Sequence, residues 1–235
     1  MYSMNEADKL KRYMNPRAKP GEPYQATFPE SVANVITHAI FIVPAFVGFL
    51  WMLYISSDFN TRIVAWIYGS SLVIVFTTST VFHAITLSKD LSRRKSLKTF
   101  FHVGDRAVIY LFIASSYTPW LILKEDVQKA ATPVLYTVWI SAIIGILYQY
   151  TFHEQYKFLE TLLYVMVGLL PSLPLIFVLE DSSGLWEMFI GGVVYIAGIV
   201  FFKSDGRIPF AHAIWHCFVF VAAAMHYGAV CKYLF

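Results

Sequence analysis

Two histidines near the end of the chain, His212 and His216, stand four residues apart in Phe201-Phe-Lys-Ser-Asp-Gly-Arg-Ile-Pro-Phe-Ala-His212-Ala-Ile-Trp-His216. A short charged turn ends at Pro209, and an apolar run follows it. On a helix this spacing puts both imidazoles on one face, one turn apart. Imidazole is a good zinc ligand, and two rings so placed can share an ion. A helical pair supplies only two ligands, so a metal site needs a third at the same depth. His83 ends an earlier apolar run, Thr77-Thr-Ser79-Thr-Val-Phe-His83, and Ser79 lies four residues before it on the same helical face. Asp105 lies in the first turns of the next run, Phe101-His102-Val-Gly-Asp105-Arg106.

The elements that must bring these residues together are membrane spans. Of 235 residues, 57% are hydrophobic and 14% charged, whereas soluble domains are about 25% charged. Seven apolar runs are expected to span, near 32–54, 62–87, 100–123, 133–151, 158–179, 186–202 and 209–231. Seven spans of roughly 20 residues use about 140, which leaves short loops and no separate soluble domain. The expected fold is an all-α membrane protein, a seven-transmembrane helix bundle over residues 31–235, preceded by a basic tail over 1–30. That tail is charged and has no apolar stretch of its own, so it is not read as a cleavable signal peptide. Its basic residues suit contact with anionic head groups. Within it, Thr27 with Glu30 three residues on reads as a capping box at the first span, with Pro29 in the first turn.

Orientation follows from lysine and arginine in the loops. The tail has Lys9, Lys11, Arg12, Arg17 and Lys19; the loop after the second span has Lys89, Arg93, Arg94, Lys95 and Lys98. With Lys157, Lys203 and Arg207, that side holds thirteen, against four (Arg62, Lys124, Lys129 and Lys232) on the other. The N-terminus is therefore expected in the cytosol and the C-terminus outside it. In that topology His83, Asp105, His212 and His216 all fall at the cytosolic ends of the second, third and seventh spans. Three histidines with an open fourth position are a catalytic zinc pattern. The other reading of the same residues is polar groups hydrogen-bonded between helices, without metal.

The S-x₃-H at Ser79 and His83, the aspartate at 105 and the H-x₃-H at His212 and His216 resemble the signature of the progestin and adipoQ receptor family, which includes the hemolysin III-like proteins. Arg12-Tyr-Met-Asn15, Ala33-Asn34 with Thr37-His38, Ala65-Trp-Ile-Tyr-Gly69 and the stretch from Phe201 to His216 resemble one branch of it. The resemblance covers nearly the whole chain and departs from that branch at Phe28-Pro-Glu30, where Tyr-Glu-His is usual. It implies seven spans with a cytosolic N-terminus. It implies zinc near the cytosolic face, held by His83, His212 and His216, with Asp105 acting on the water there and Ser79 supporting the site. It further implies signalling and hydrolysis of ceramide-like lipid amides, with Asp105 and Ser79 as the catalytic pair. The alternative is a receptor or membrane scaffold in which zinc only ties three spans together. Pore formation finds little support, because the spans carry no ring of repeated charge. The expected partners are membrane lipids and, beyond them, an unidentified cytosolic signalling protein; nucleic acid is not one. Relatives of this branch imply Golgi or endolysosomal membranes in preference to the plasma membrane.

Several other residues carry expectations. Asn34, Thr37 and His38 form a polar stripe on the first span, read as interhelical hydrogen bonding or, second, as a pocket wall. His102 is read as a support for the site or a head-group contact, His153 as a solvated loop residue and Arg106 as a snorkelling arginine. His226 lies about 15 Å along the helix from His216, too far to share its metal. Pro171 and Pro174 should kink the fifth span. Gly191, Gly192 and Gly198 read as a packing strip, and Cys217 and Cys231 as small buried hydrophobes.

Overall fold

A computed structural model describes residues 12–19, 21–87, 91–173 and 182–235. Lys9, Lys11, Pro20, Lys89, Pro174 and the end of the expected fifth span lie outside the described residues. Among the described residues the chain is helical, with no strand: α1 Phe28–Ile55, α2 Phe59–Thr86, α3 Leu91–Leu123, α4 Gln128–Phe152, α5 Lys157–Leu169, α6 Leu185–Phe202 and α7 Ala211–Leu234. All but α5 are long and apolar enough to cross a membrane. α3 begins nine residues before its apolar run, because the polar segment ahead of Phe100 continues the helix beyond the hydrophobic stretch. α5 has 13 residues, about 20 Å against a hydrocarbon core of about 30 Å. Its ladder breaks at Pro171, which has no N–H to continue it: the last turn closes through Leu170 N–H to Met166 O at 2.9 Å, and helix resumes at Ser172 and Leu173, the last described residues before 182.

The burial pattern is inverted relative to a soluble domain. On α1 the residues turned inward include Glu30, Ser31, Asn34 and His38, while Ile36, Ile40, Val43 and Val47 face out. Apolar surface on the outside and polar side chains inside is what a lipid solvent selects. One core cluster joins α1, α2, α3 and α7 around Met52, Tyr68, Leu72 and Val230; a second joins α3, α4 and α5 around Tyr110, Val138 and Tyr164. Hydrogen bonds tie the helices pairwise, as in Tyr227 Oη–H to Gly48 O (2.8 Å), Tyr117 Oη–H to Gly168 O (2.6 Å) and Trp139 Nε1–H to Thr118 Oγ1 (3.2 Å).

Two glycine positions bear on the site. α2 contains one π-helical turn, Ala65–Gly69, which coincides with the Ala-Trp-Ile-Tyr-Gly motif. A Cβ on Gly69 would lie 2.6 Å from Phe49, so this turn lets α2 press on α1. In the loop before α7, Gly206 has φ +72, and its missing Cβ makes room for the Arg17 backbone. The α6 glycines behave as a packing strip in part. A Cβ on Gly191 would meet His226 and one on Gly198 would meet Phe218, but Gly192 faces open space. Both cysteines are free thiols; Cys217 is exposed on α7 and Cys231 half-buried, so neither is the buried hydrophobe expected.

Residues 12–19 and 21–27 of the tail lie against the bundle. Tyr13 meets the Phe210 ring, Arg17 lies against Gly206, and the Lys157 ammonium donates to Glu22 O. The tail, the α4–α5 loop and the α6–α7 loop therefore share one end of the bundle, the end at which α7 begins. Thr27 is the N-cap of α1 as expected, but its side chain makes no cap hydrogen bond. Glu30 turns into the protein and accepts from the Tyr24 hydroxyl at 3.0 Å, so the capping box does not form.

Candidate metal centre

α2, α3 and α7 bring His83, Asp105, Ser79, His212 and His216 to the tail end of the bundle. A nitrogen of each of the three histidines lies within 4.8 Å of the others. Their ring centroids are 5.2 Å (His83 to His212), 5.1 Å (His83 to His216) and 4.7 Å (His212 to His216) apart. Three ligands at about 2.0–2.1 Å from one ion need only small side-chain rotations from here. Ser79 and Asp105 are in side-chain contact beside them and, with His212 and His216, line the same cavity.

The imidazole partners decide whether this set suits a metal. His216 Nδ1 is 3.0 Å from Thr37 Oγ1, and that hydroxyl donates its own hydrogen to Ala33 O at 2.8 Å. With the hydroxyl hydrogen on Ala33 O, the Thr37 oxygen accepts from His216 Nδ1–H, the tautomer that leaves Nε2 as a lone pair for a metal. His212 presents Nδ1 to Asp205 Oδ2 at 3.7 Å, a carboxylate-to-histidine contact of the kind that orients metal ligands. His83 Nε2 is buried with no hydrogen-bond partner in the protein. A buried nitrogen with no partner among the described residues, on a ring 5.2 Å from that of His212 and 5.1 Å from that of His216, fits a zinc ion held by the three.

The stripe on α1 serves both readings given to it. Thr37 holds His216, while His38 lies with its ring centroid 3.7 Å from that of His216 and also lines the cavity. Sequence reasoning missed Asp205, although it lies seven residues before His212 in the quoted stretch, two turns of an uninterrupted helix that the loop in fact breaks. His226 Nε2–H donates to Met188 O (3.0 Å), and the residue is remote from the three histidines, as expected.

The cavity has a volume of about 740 Å³. It runs beside α7 from His212 to His226, fourteen residues and about 21 Å of helix. Its wall is largely apolar and includes Leu169 of α5 and Trp186, Phe189 and Ile196 of α6. These four are also exposed, so the cavity wall on α5 and α6 is continuous with accessible apolar surface.

Next to the centre lies a second polar cluster, and here two expectations fail. Arg106 does not snorkel. Its guanidinium is inside, donating to Glu160 at 2.6 Å and to Glu154 at 3.1 Å, against the Phe202 ring. Two carboxylates within reach stabilise it better than the longer path to the head groups. His153 is not solvated: its Nε2 is 3.0 Å from His102 Nδ1, and burial pushes its pKa below the usual imidazole value, so the ring is neutral at pH 7. His102 contacts His153 and Glu154 (3.5 Å) and stacks on Phe82, the neighbour of His83, which fits the first of its two readings, a support for the site. The donor atoms of His102, His153 and Glu154 also lie within 4.8 Å of one another. Arg106 and Lys157 (2.9 Å) already neutralise Glu154, which makes this cluster an ion-pair network.

A family model described as haemolysin-III related matches residues 26–227. The chain is 44% identical to the human monocyte to macrophage differentiation factor over 232 residues, 99% of this chain and 96% of the human one. It is 29% identical over 212 residues to a hemolysin-3 homolog of Bacillus subtilis, covering 88% of this chain and 95% of the bacterial one. It is 30% identical over 210 residues to hemolysin-3 of Bacillus cereus, covering 87% and 92%. The chain is a multi-pass helical membrane protein that belongs to the haemolysin-III-related family, the group that includes the progestin and adipoQ receptors.

Proposed function

We propose that this protein is a zinc-dependent hydrolase of long-chain lipid amides of the ceramide type, with the centre at the cytosolic face and a signalling role that follows from the lipids it releases. The observation that carries the reading is one continuous cavity whose wall holds Asp105, Ser79, His212 and His216 at one end and lipid-facing apolar residues along its length. His83, His212 and His216 would hold the ion. Zinc bound by three neutral imidazoles supplies a Lewis acid and lowers the pKa of water towards about 7.

The chain's own residues then divide the work. The apolar wall takes the acyl chain from the bilayer and excludes bulk water from the reacting carbonyl. Asp105 takes a proton from the attacking water as the new C–O bond forms. It returns that proton to the amine nitrogen as the C–N bond breaks, which leaves a free amine and a carboxylic acid that then ionises by releasing its proton to solvent. Ser79, against Asp105, fixes the direction of the carboxylate. Thr37 and Asp205 hold the His216 and His212 rings.

The test is fatty-acid release from a ceramide in vesicles containing the purified chain, with and without zinc. Zinc-dependent release supports the reading. Bound zinc with no release from ceramides of varied chain length would favour the scaffold role instead. Thr37→Val should weaken zinc binding by about 10–100-fold, because the His216 Nδ1–H loses its acceptor and the tautomer is no longer fixed. Competition against a chelator of known affinity measures this; equal affinity in parent and variant would contradict the role given to Thr37.

A further inference from the structure

Thr27, Glu30 and Asn34 recur at spacings of three and four on α1, so they share the face that continues to Thr37 and the three histidines. All three are buried, and Glu30 is completely so. Each has a side-chain oxygen with no hydrogen-bond partner in the protein: Thr27 Oγ1, Glu30 Oε1 and Asn34 Oδ1. Asp205 Oδ1, beside His212, is a fourth. Glu30 is within electrostatic reach of both Asp205 and His212. Among the described residues, no lysine or arginine pairs with either carboxylate.

Buried polar atoms are normally satisfied, so four unpaired acceptors in one stripe call for an explanation. An apolar ligand cannot supply donors, whereas a cation between Glu30 and Asp205 would relieve the mutual repulsion of two carboxylates that is otherwise relieved by protonation. Carboxylate, amide carbonyl and hydroxyl oxygens are what a hydrated divalent cation takes as ligands in passing. The stripe is also separate from the lipid route. The large cavity touches His212, His216 and Asp105, but none of Thr27, Glu30, Asn34 and Asp205 lines it. Asp205 is the partly exposed member, and the others lie deeper. Over the stripe sits Tyr24, whose hydroxyl donates to Glu30 Oε2 (3.0 Å) and accepts from Asn15 N–H (3.2 Å).

We propose that Thr27, Glu30, Asn34 and Asp205 form a loading site through which a hydrated divalent cation enters the three-histidine centre from the tail end, with Tyr24 as its latch. Lipid and metal then reach the centre from opposite sides. The inference rests on the zinc reading above, and its test separates the two.

The full chain is purified in detergent, stripped with a chelator and mixed with Zn²⁺ in the presence of a zinc indicator. Both the rate of uptake and its end-point are read. Glu30→Gln keeps an acceptor for Tyr24 and removes the charge. It should slow uptake by about tenfold or more, the scale on which local charge changes ion arrival, and reach the parent's end-point. Tyr24→Phe should speed uptake. A Glu30→Gln protein that loads at the parent's rate overturns the proposal and leaves the zinc reading intact. A folded parent that takes up no zinc overturns the zinc reading and the loading site with it. Should Glu30→Gln fail to fold, Asn34→Asp adds a negative charge to the same stripe and should accelerate uptake; an unchanged rate there also overturns the proposal.

Discussion

Replacing Asp105 by asparagine should leave the zinc content of the purified protein unchanged and reduce lipid amide hydrolysis by about 10²–10⁴-fold. The substitution keeps the size of the side chain and its contact with Ser79, so the packing of α2 on α3 is retained. It removes only the ability to take up and return a proton. None of the three histidines depends on Asp105 for its orientation: His216 is held by Thr37 and His212 by Asp205. Metal content and turnover should therefore separate in this variant. Full turnover in Asp105→Asn, measured as fatty-acid release from vesicles, would remove Asp105 from the reaction.

The largest loss of stability should come from Arg106→Met. The guanidinium is paired with two carboxylates, and the side chains of Arg106, Glu154 and Glu160 retain only 15%, 5% and 3% of their exposure. Removing the cation leaves Glu160 buried with a tyrosine hydroxyl as its remaining neighbour and Glu154 with Lys157 and His102. Breaking one side of a buried pair costs about 3–5 kcal/mol. Thermal unfolding in detergent should register this as a clear drop in Tm. The double variant Arg106→Met/Glu160→Gln should recover part of the loss, because no uncompensated charge then remains at Glu160. Equal Tm values for the parent and Arg106→Met would show that the network is not structural.

The reach of the sequence is clearest at the centre. Histidines at a four-residue spacing need only one helix to share a face, and a loop-charge count puts His83 and Asp105 at the matching ends of their helices. Periodicity and hydropathy carry that much. The expected third ligand and the aspartate meet the helical pair in the structure. What failed was decided by contacts between elements far apart in sequence. Arg106 pairs with Glu154 and Glu160, 48 and 54 positions on, and His153 with His102, 51 positions back; neither announces its partner locally, although an arginine within a span should have prompted a search for Glu160. Thr27 and Glu30 have the spacing of a capping box, but the tail offers Glu30 the Tyr24 hydroxyl instead. Pro171 is the opposite case: a missing N–H is a local property, and the helix breaks there as the sequence predicts. The pattern also says nothing of the space left between α3, α5, α6 and α7, which arises from how the helices pack and not from any one of them.

Zinc per chain is the measurement on which the rest depends. The parent, purified in mild detergent and analysed by mass spectrometry, should carry about one zinc, as a three-histidine site holds one ion. The His212→Ala/His216→Ala variant, folded by the same criteria, should carry close to none. A well-folded parent without zinc, even after incubation with the metal, would contradict the hydrolase reading and reduce His83, His212 and His216 to polar contacts between helices.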